Sequence, residues 1–254
     1  EIWANCKLKI FGEKIFYKPT TESTNENAKQ LAWEGAPFGT IVIAERQQKG
    51  KGRMGRTWVS PYGGIWFSLI LRPHLVPMEA PKLTIMAAVA VAEAINEATG
   101  ICANVKWPND ILVDGKKVCG ILTEMSAEMD LINYVVIGIG INANNVDFPG
   151  ILKNSSTSLK RIKGKKISRI KVLSNLLRKL EYYYVRAEVE GFCEIFKKWR
   201  ALCIHLGKKV MITEKHKIVE GMAIDIHESG ALLVKTKSGK VIRVLSGDVS
   251  LRLG

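Results

Sequence analysis

Between Glu79 and Thr99 the chain carries its longest helical pattern, an alanine-rich stretch closed by Gly100 in which Ala87, Ala88, Val91, Ala92 and Ile95 give one buried face. Side chains this small let a helix lie close against a sheet, and the flanking sequence supplies one. Thr40–Ala44 and Ile65–Leu71 are short β-branched or aromatic runs bounded by Gly and Pro, and Ile132–Ile141 is a further apolar run. Ile111–Val113 and Val118–Met125 flank Asp114-Gly115, a type I′ hairpin signal, so an antiparallel meander is predicted. Ser23-Thr24-Asn25-Glu26 has the form of a capping box and predicts a helix over Thr24–Glu34, stopped by Gly35 and Pro37. Helices over Ser168–Val189 and Gly191–Leu202 follow. Beyond Leu206 the runs Val210–Thr213, Lys217–Ile226, Ala231–Lys235 and Lys240–Val244 alternate apolar and polar, which predicts a small closed barrel. The fold class is α/β in the α+β sense, and 254 residues suffice for one large domain and one small one.

Several classes fall away on composition. Five cysteines with no C-x-x-C pair suggest neither a disulfide framework nor a zinc ribbon, and a reducing cytoplasm is the expectation. No run approaches the length of a membrane span, and Glu1–Phe11 has no apolar core with a cleavage site, so neither a membrane protein nor a signal peptide is indicated. Residue 1 is not Met, which leaves room for a removed upstream segment. No internal repeat is seen. The 38 Lys and Arg against 24 Asp and Glu leave a net charge of +14, a bias toward anionic partners that names none of them. Lys160–Lys171 holds seven Lys or Arg and no acid, and reads first as a solvated loop and helix face, with an electrostatic docking patch as the alternative.

The densest chemistry lies in Glu45–Trp58. Three glycines let backbone approach an anion, while Lys49, Lys51, Arg53 and Arg56 supply charge and, from the arginines, forked donors suited to phosphate. Gly50-x-Gly52-x-x-Gly55 matches the dinucleotide fingerprint in form, but Trp58-Val59-Ser60-Pro61 follows instead of a helix, and residues 70–75 hold no acid for a ribose. Downstream stand Lys106-Trp107-Pro108-Asn109-Asp110 and Lys116-Lys117-Val118-Cys119-Gly120, where one ammonium can meet a carboxylate and a phosphate together. Gly138-Ile139-Gly140-Ile141-Asn142 ends an apolar strand on an amide. His74, His205, His216 and His227 are scattered, and Cys119 reads as a small buried residue.

Taken in order, Ser23-Thr24-Asn25, the Gly50–Arg56 loop with Trp58, Lys106–Asp110, Lys117 with Gly120-Ile121-Leu122, and Gly138–Asn142 resemble the biotin protein ligase family over nearly the whole chain. The resemblance implies a mixed-sheet catalytic domain over residues 1–204 and an SH3-like barrel over 205–254. Without a winged helix-turn-helix ahead of the catalytic domain, the chain resembles the monofunctional kind. On the matching positions, the resemblance puts Ser23, Thr24, Asn25, Gln47, Gly50, Lys51, Arg53, Lys117 and Gly120 around biotin. It puts Arg53, Arg56, Trp58, Lys106, Asn109, Lys117, Asn142 and Arg252 around ATP, with Lys117 and Arg53 as the catalytic pair and Asp110 beside a magnesium ion. The family has arginine where this chain has Lys51, which loses bidentate contact there. Phe148 is the candidate to cover the adenine.

The implied reaction makes biotinoyl-5′-AMP from biotin and MgATP and passes the acyl group to a lysine of a biotin carboxyl carrier protein, in the cytoplasm, without nucleic acid or membrane; a homodimer is allowed. A lipoate protein ligase is the nearest rival, but it would want an apolar slot in place of Ser23, Thr24 and Gln47. A basic nucleic-acid-binding module rests on charge and the barrel alone. Strand alternation lets only one of Lys116 and Lys117 reach the nucleotide. The Gly50–Arg56 loop, poor in apolar anchors, is expected to order over ligand.

Overall fold

The computed structural model describes residues 8–150, 152–214, 217–245 and 247–251. Arg252, His216 and Cys6 lie outside them. Seven strands, β1 (Ile15–Lys18), β2 (Ile41–Ala44), β3 (Ile65–Leu71), β4 (Asn104–Lys106), β5 (Asp110–Val113), β6 (Lys116–Glu128) and β7 (Leu131–Ile141), form one sheet in the order β1-β2-β3-β7-β6-β5-β4. Only β1 and β2 run parallel; every other pair is antiparallel, including the meander predicted for β5, β6 and β7. The alanine-rich helix is α2 (Pro81–Thr99), after α1 (Thr24–Trp33). It starts two residues later than its pattern suggests, because Pro81 takes the first helical position and Pro77–Glu79 turns separately as a 3-10 helix.

Strand alternation divides the sheet into two unlike faces. Ile137, Ile139 and Ile141 of β7 join Phe67 and Leu69 of β3 in the main core, which α2 covers with α5 (Arg169–Glu190) and α6 (Cys193–Leu202) behind it. The other face carries a small cluster of Val42, Ile70 and Val136 under Ala28 and Ala32 of α1, and then Ser68, Gly138, Gly140 and Asn142. Because α1 covers only part of that face, the polar and glycine positions remain open as the floor of a cavity.

Two expectations are corrected here. The capping box is not made: Ser23 has cap backbone geometry but no side-chain cap bond, and Glu26 turns outward to Lys29 and Lys51, both at 2.6 Å. Two ammonium groups outcompete one backbone N–H for that carboxylate. The C-terminal strands β8 (Lys209–Glu214), β9 (Lys217–Ile226), β10 (Leu232–Lys235), β11 (Val241–Val244) and β12 (Asp248–Leu251) form an antiparallel sheet in the order β11-β10-β9-β8-β12, and its ladder does not close into a barrel. It is nevertheless strongly curled. A flat sheet would hold its edge strands about 19 Å apart, whereas four Cα steps from Val244 to Asp248 span at most about 15 Å. This domain is tied to the large one by Trp107 Nε1 donating to Gly230 O at 3.1 Å and by Arg200 Nε donating to Asp225 at 2.6 Å.

His205, at the start of the small domain, is 1% exposed and neither ring nitrogen has a hydrogen-bond partner. Burial, with Lys106 and Lys208 nearby, pushes its pKa down to about 4 from an ordinary 6.5. A neutral buried histidine takes up its proton more readily once unfolded, so its cost is absent above pH 6.5 and grows as pH falls toward 4. We expect His205→Phe to lessen acid destabilisation by up to about 3 kcal/mol, read from urea unfolding at neutral and acidic pH. Parallel losses in the two proteins would refute this.

Candidate active site

The open face of the sheet is the floor of a cavity of about 600 Å³ whose walls come from α1, the loop after β2, Phe148, Leu152, Ser155 and Ser156, and Asp248 of β12. Of the residues expected at the site, Ser23, Thr24, Asn25, Gln47, Lys51, Arg53, Arg56, Trp58, Lys106, Asn109, Asp110, Lys117, Gly120, Asn142 and Phe148 all line it. Gly50 does not. It is small because the opposite arm of its own loop passes over it, a Cβ there lying 2.3 Å from Trp58 O.

At one end stands a hydrogen-bonded amide and hydroxyl group. Gln47 Oε1 accepts from Thr24 N at 2.8 Å and Thr24 Oγ1 at 3.1 Å, and Gln47 Nε2 donates to Ser60 Oγ at 2.8 Å. Asn25 Nδ2 donates to Glu124 at 2.8 Å, and Ser68 Oγ donates to Asn25 Oδ1 at 2.6 Å. These bonds fix Thr24, Asn25 and Gln47 before any ligand arrives, while the Ser23 hydroxyl is not spent on the helix. Next to them Gly120 and Gly140 face each other across β6 and β7, and Trp58 rests on the pair: a Cβ at Gly140 would lie 2.3 Å from its Nε1, one at Gly120 3.0 Å from its ring. The Trp58 Nε1 is buried without a partner.

At the other end lie the cations. Residues 47–60 fold into a flap held by antiparallel bridges Gln47↔Ser60 and Lys51↔Thr57, with Arg53–Gly55 as its tip and Met54 in the left-handed region at φ 55°. The flap is more tied down than its composition suggests. Lys49 pairs with Glu22 at 2.7 Å, Lys51 with Glu26 at 2.6 Å, and Arg56 with Asp248, reaching from the large domain to the small. Arg56 holds the Asp248 carboxyl below the usual range. Among the described residues Arg53 is the one flap cation without an ion pair. It donates to Asn109 Oδ1 at 3.2 Å, and burial draws its guanidinium below the ordinary value against the pull of Asp248 and Asp110.

Lys117 owes its place to a β-bulge. β5 and β6 pair Asp110↔Gly120 and Ile111↔Cys119, then Leu112↔Lys117, so Val118 is an extra residue on β6. Val118, Cys119 and Ile121 all enter the main core. Uninterrupted alternation from Cys119 and Ile121 would aim Lys116 at the cavity; the bulge gives that position to Lys117 and leaves Lys116 exposed. Lys117 Nζ lies 2.6 Å from Asp110 Oδ1 and 4.9 Å from the centre of the Trp58 ring. Burial pushes the neighbouring Cys119 thiol well above its ordinary value, which fits an inert core residue.

No group of three His, Cys, Asp or Glu capable of holding a metal occurs among the described residues. Magnesium that arrives on nucleotide phosphates needs only one or two carboxylates and keeps several waters, and Asp110 in the cavity fits that need. Asp248, Ser156, Gly138 and Gly140 also line the cavity, although nothing in the sequence marks them for a ligand role. Asp248 sits in a strand far along the chain, and nothing local marks it.

Rigid amide and hydroxyl groups at one end of a cavity, and guanidinium and ammonium groups at the other, are the equipment of a ligase that joins an acid to a nucleotide phosphate. Residues 17–142 match the Biotin/lipoate A/B protein ligase family and residues 205–252 the Biotin protein ligase C terminal domain. The bifunctional ligase/repressor BirA of Bacillus subtilis is 41% identical over 99% of this chain and 78% of its own length. The biotin--[acetyl-CoA-carboxylase] ligase of Paracoccus denitrificans is 33% identical over 87% of this chain and 94% of its own. The biotin protein ligase of Aquifex aeolicus, solved in complex with biotin and ATP, superposes with a TM-score of 0.83 at 32% identity over 94% of this chain and 99% of that one. The chain belongs to the biotin protein ligase family. No helix among the described residues is long and apolar enough to cross a membrane.

Proposed function

We propose that the protein is a biotin protein ligase that makes biotinoyl-5′-AMP and transfers the acyl group to a lysine of a biotin carboxyl carrier protein. The observation that carries this is the placement of Lys117, turned by the bulge into the same cavity as Gln47, Thr24 and Arg53. The hydroxyl and amide groups around Ser23, Thr24 and Gln47 suit a cyclic urea, which an acid such as lipoate lacks. The biotin carboxylate oxygen attacks the α-phosphorus, the bond to the β-phosphate bridge oxygen breaks, and pyrophosphate leaves. Lys117 bridges carboxylate and phosphate as their mutual repulsion peaks, and Arg53 and Arg56 hold the phosphate oxygens. Asp110 would hold magnesium, which would supply charge neutralisation to the phosphates. The neutral amine of the acceptor lysine then attacks the acyl carbon, AMP departs, and the amine loses a proton. No covalent enzyme nucleophile is needed, and Trp58 with the flap keeps water from the mixed anhydride.

The test is the mass of a carrier domain incubated with the protein, MgATP and either biotin or lipoate. One biotinoyl addition is expected; lipoylation in its place would identify a lipoate ligase. Biotin and ATP together should also raise the melting temperature far more than the sum of each alone, because the adenylate spans both ends of the cavity and binds only the folded protein. Small additive shifts would count against the reading.

A further inference from the structure

Residues 145–171 hold eight Lys or Arg against Asp147 alone, a net charge of 8 − 1 = +7. Half of the chain's excess of +14 is thus concentrated in one short segment. That segment is not a tail. It begins as the cavity wall, with Phe148, Leu152 and Ser156, and passes through α3 (Leu152–Ser155) and α4 (Leu159–Lys163). The guanidinium of Arg161 lies 5.5 Å over the Phe148 ring, at the rim. Backbone N–H groups of Leu159 and Lys160 donate to Asn142 O and Ala143 O at 2.9 and 2.8 Å. The Asn144 side chain grips both the N–H and the C=O of Ile167, at 2.8 and 2.9 Å. The cations are therefore carried on backbone anchored to the end of β7, directly beyond the cavity. Among the described residues only Arg169 of the eight has a carboxylate partner, Glu45 at 2.7 Å.

We propose that this wall is the docking face for an acidic surface of the acceptor carrier protein. The inference rests on the ligase reading, which requires a protein lysine to reach the mixed anhydride and so presses the acceptor's surface against the mouth of the cavity. A nucleotide does not account for the charge, since the proposed reaction gives its phosphates to Arg53, Arg56 and Lys117. Rigid, exposed like charges at a mouth steer an oppositely charged partner and set its orientation.

The test uses the whole chain with Lys165→Glu/Lys166→Glu and Lys165→Gln/Lys166→Gln, positions outside the cavity. Three quantities are read at low and high ionic strength: adenylate formation, discharge of the adenylate to hydroxylamine, and transfer to a carrier domain, together with direct binding of that domain. The first two are expected to be unchanged. Transfer and carrier affinity should fall about tenfold on charge reversal and less on neutralisation, and should lose most of their salt dependence. Equal transfer rates and equal salt slopes in all three proteins would overturn the docking face. So would a random oligonucleotide that binds the wild type, but not the reversed variant, and displaces the carrier, because the face would then serve nucleic acid. A wild type that forms no adenylate would refute the ligase reading, and the carrier affinities would still decide the docking face.

Discussion

Replacing Lys117 by alanine or glutamine is expected to slow adenylate formation by a hundredfold or more while leaving folding and biotin affinity nearly intact. The ammonium lies in the cavity, 2.6 Å from Asp110, and the proposed reaction puts it between two anions that repel most strongly in the transition state. Loss of one such charge from a closed site costs on the order of 3 to 4 kcal/mol in the barrier. Lys116→Ala is the internal control. Its side chain is exposed on the far side of the bulge, so the variant should behave as wild type. Single-turnover pyrophosphate release decides the matter: equal rates for the two variants, or a defect confined to Lys116→Ala, would refute the assignment.

Gly140→Ala is expected to damage the floor of the site with a single added methyl. The new carbon would stand 2.3 Å from Trp58 Nε1 and 2.9 Å from Cε2, and the ring cannot drop toward β6, because Gly120 already lies beneath it. Trp58 must rise into the cavity. Overpacking of this kind costs about 1 to 3 kcal/mol of stability. The displaced indole should weaken biotin and nucleotide binding at least tenfold, measured by calorimetric titration beside a melting curve. An unchanged melting temperature with unchanged affinities would show that the floor has slack.

The expectation from sequence and the structure part company where a residue's role depends on something distant. Ile65–Leu71 is fully buried and has the same limits in both, because a run of β-branched and aromatic residues between glycine and proline has few other uses. β1 escaped notice: Phe16, Tyr17 and Lys18 are exposed on an edge strand, so no alternation marks it. The bulge at Val118 is equally silent, since Lys116-Lys117-Val118 looks the same with or without an extra residue in the ladder, and it took the family resemblance to favour Lys117. Ser23 and Glu26 look like a cap locally, but the flap's Lys51 and the helix's own Lys29 claim the acid. Four of the five C-terminal strands are readable one by one, whereas β12, the open ladder and the reach of Asp248 to Arg56 depend on pairings across the whole C-terminal sheet.

The three carboxylates that meet Lys51, Arg56 and Lys117 have a consequence for how the site takes a ligand. Five cations sharing a cavity would repel one another, yet Glu26, Asp248 and Asp110 already meet three of them. On the proposed ligand contacts, arrival is a substitution rather than a capture: a phosphate or carboxylate displaces an internal anion that was keeping its place. On the proposed reaction the same anions take those cations back when AMP departs, so the site resets after each turnover with partners from its own chain.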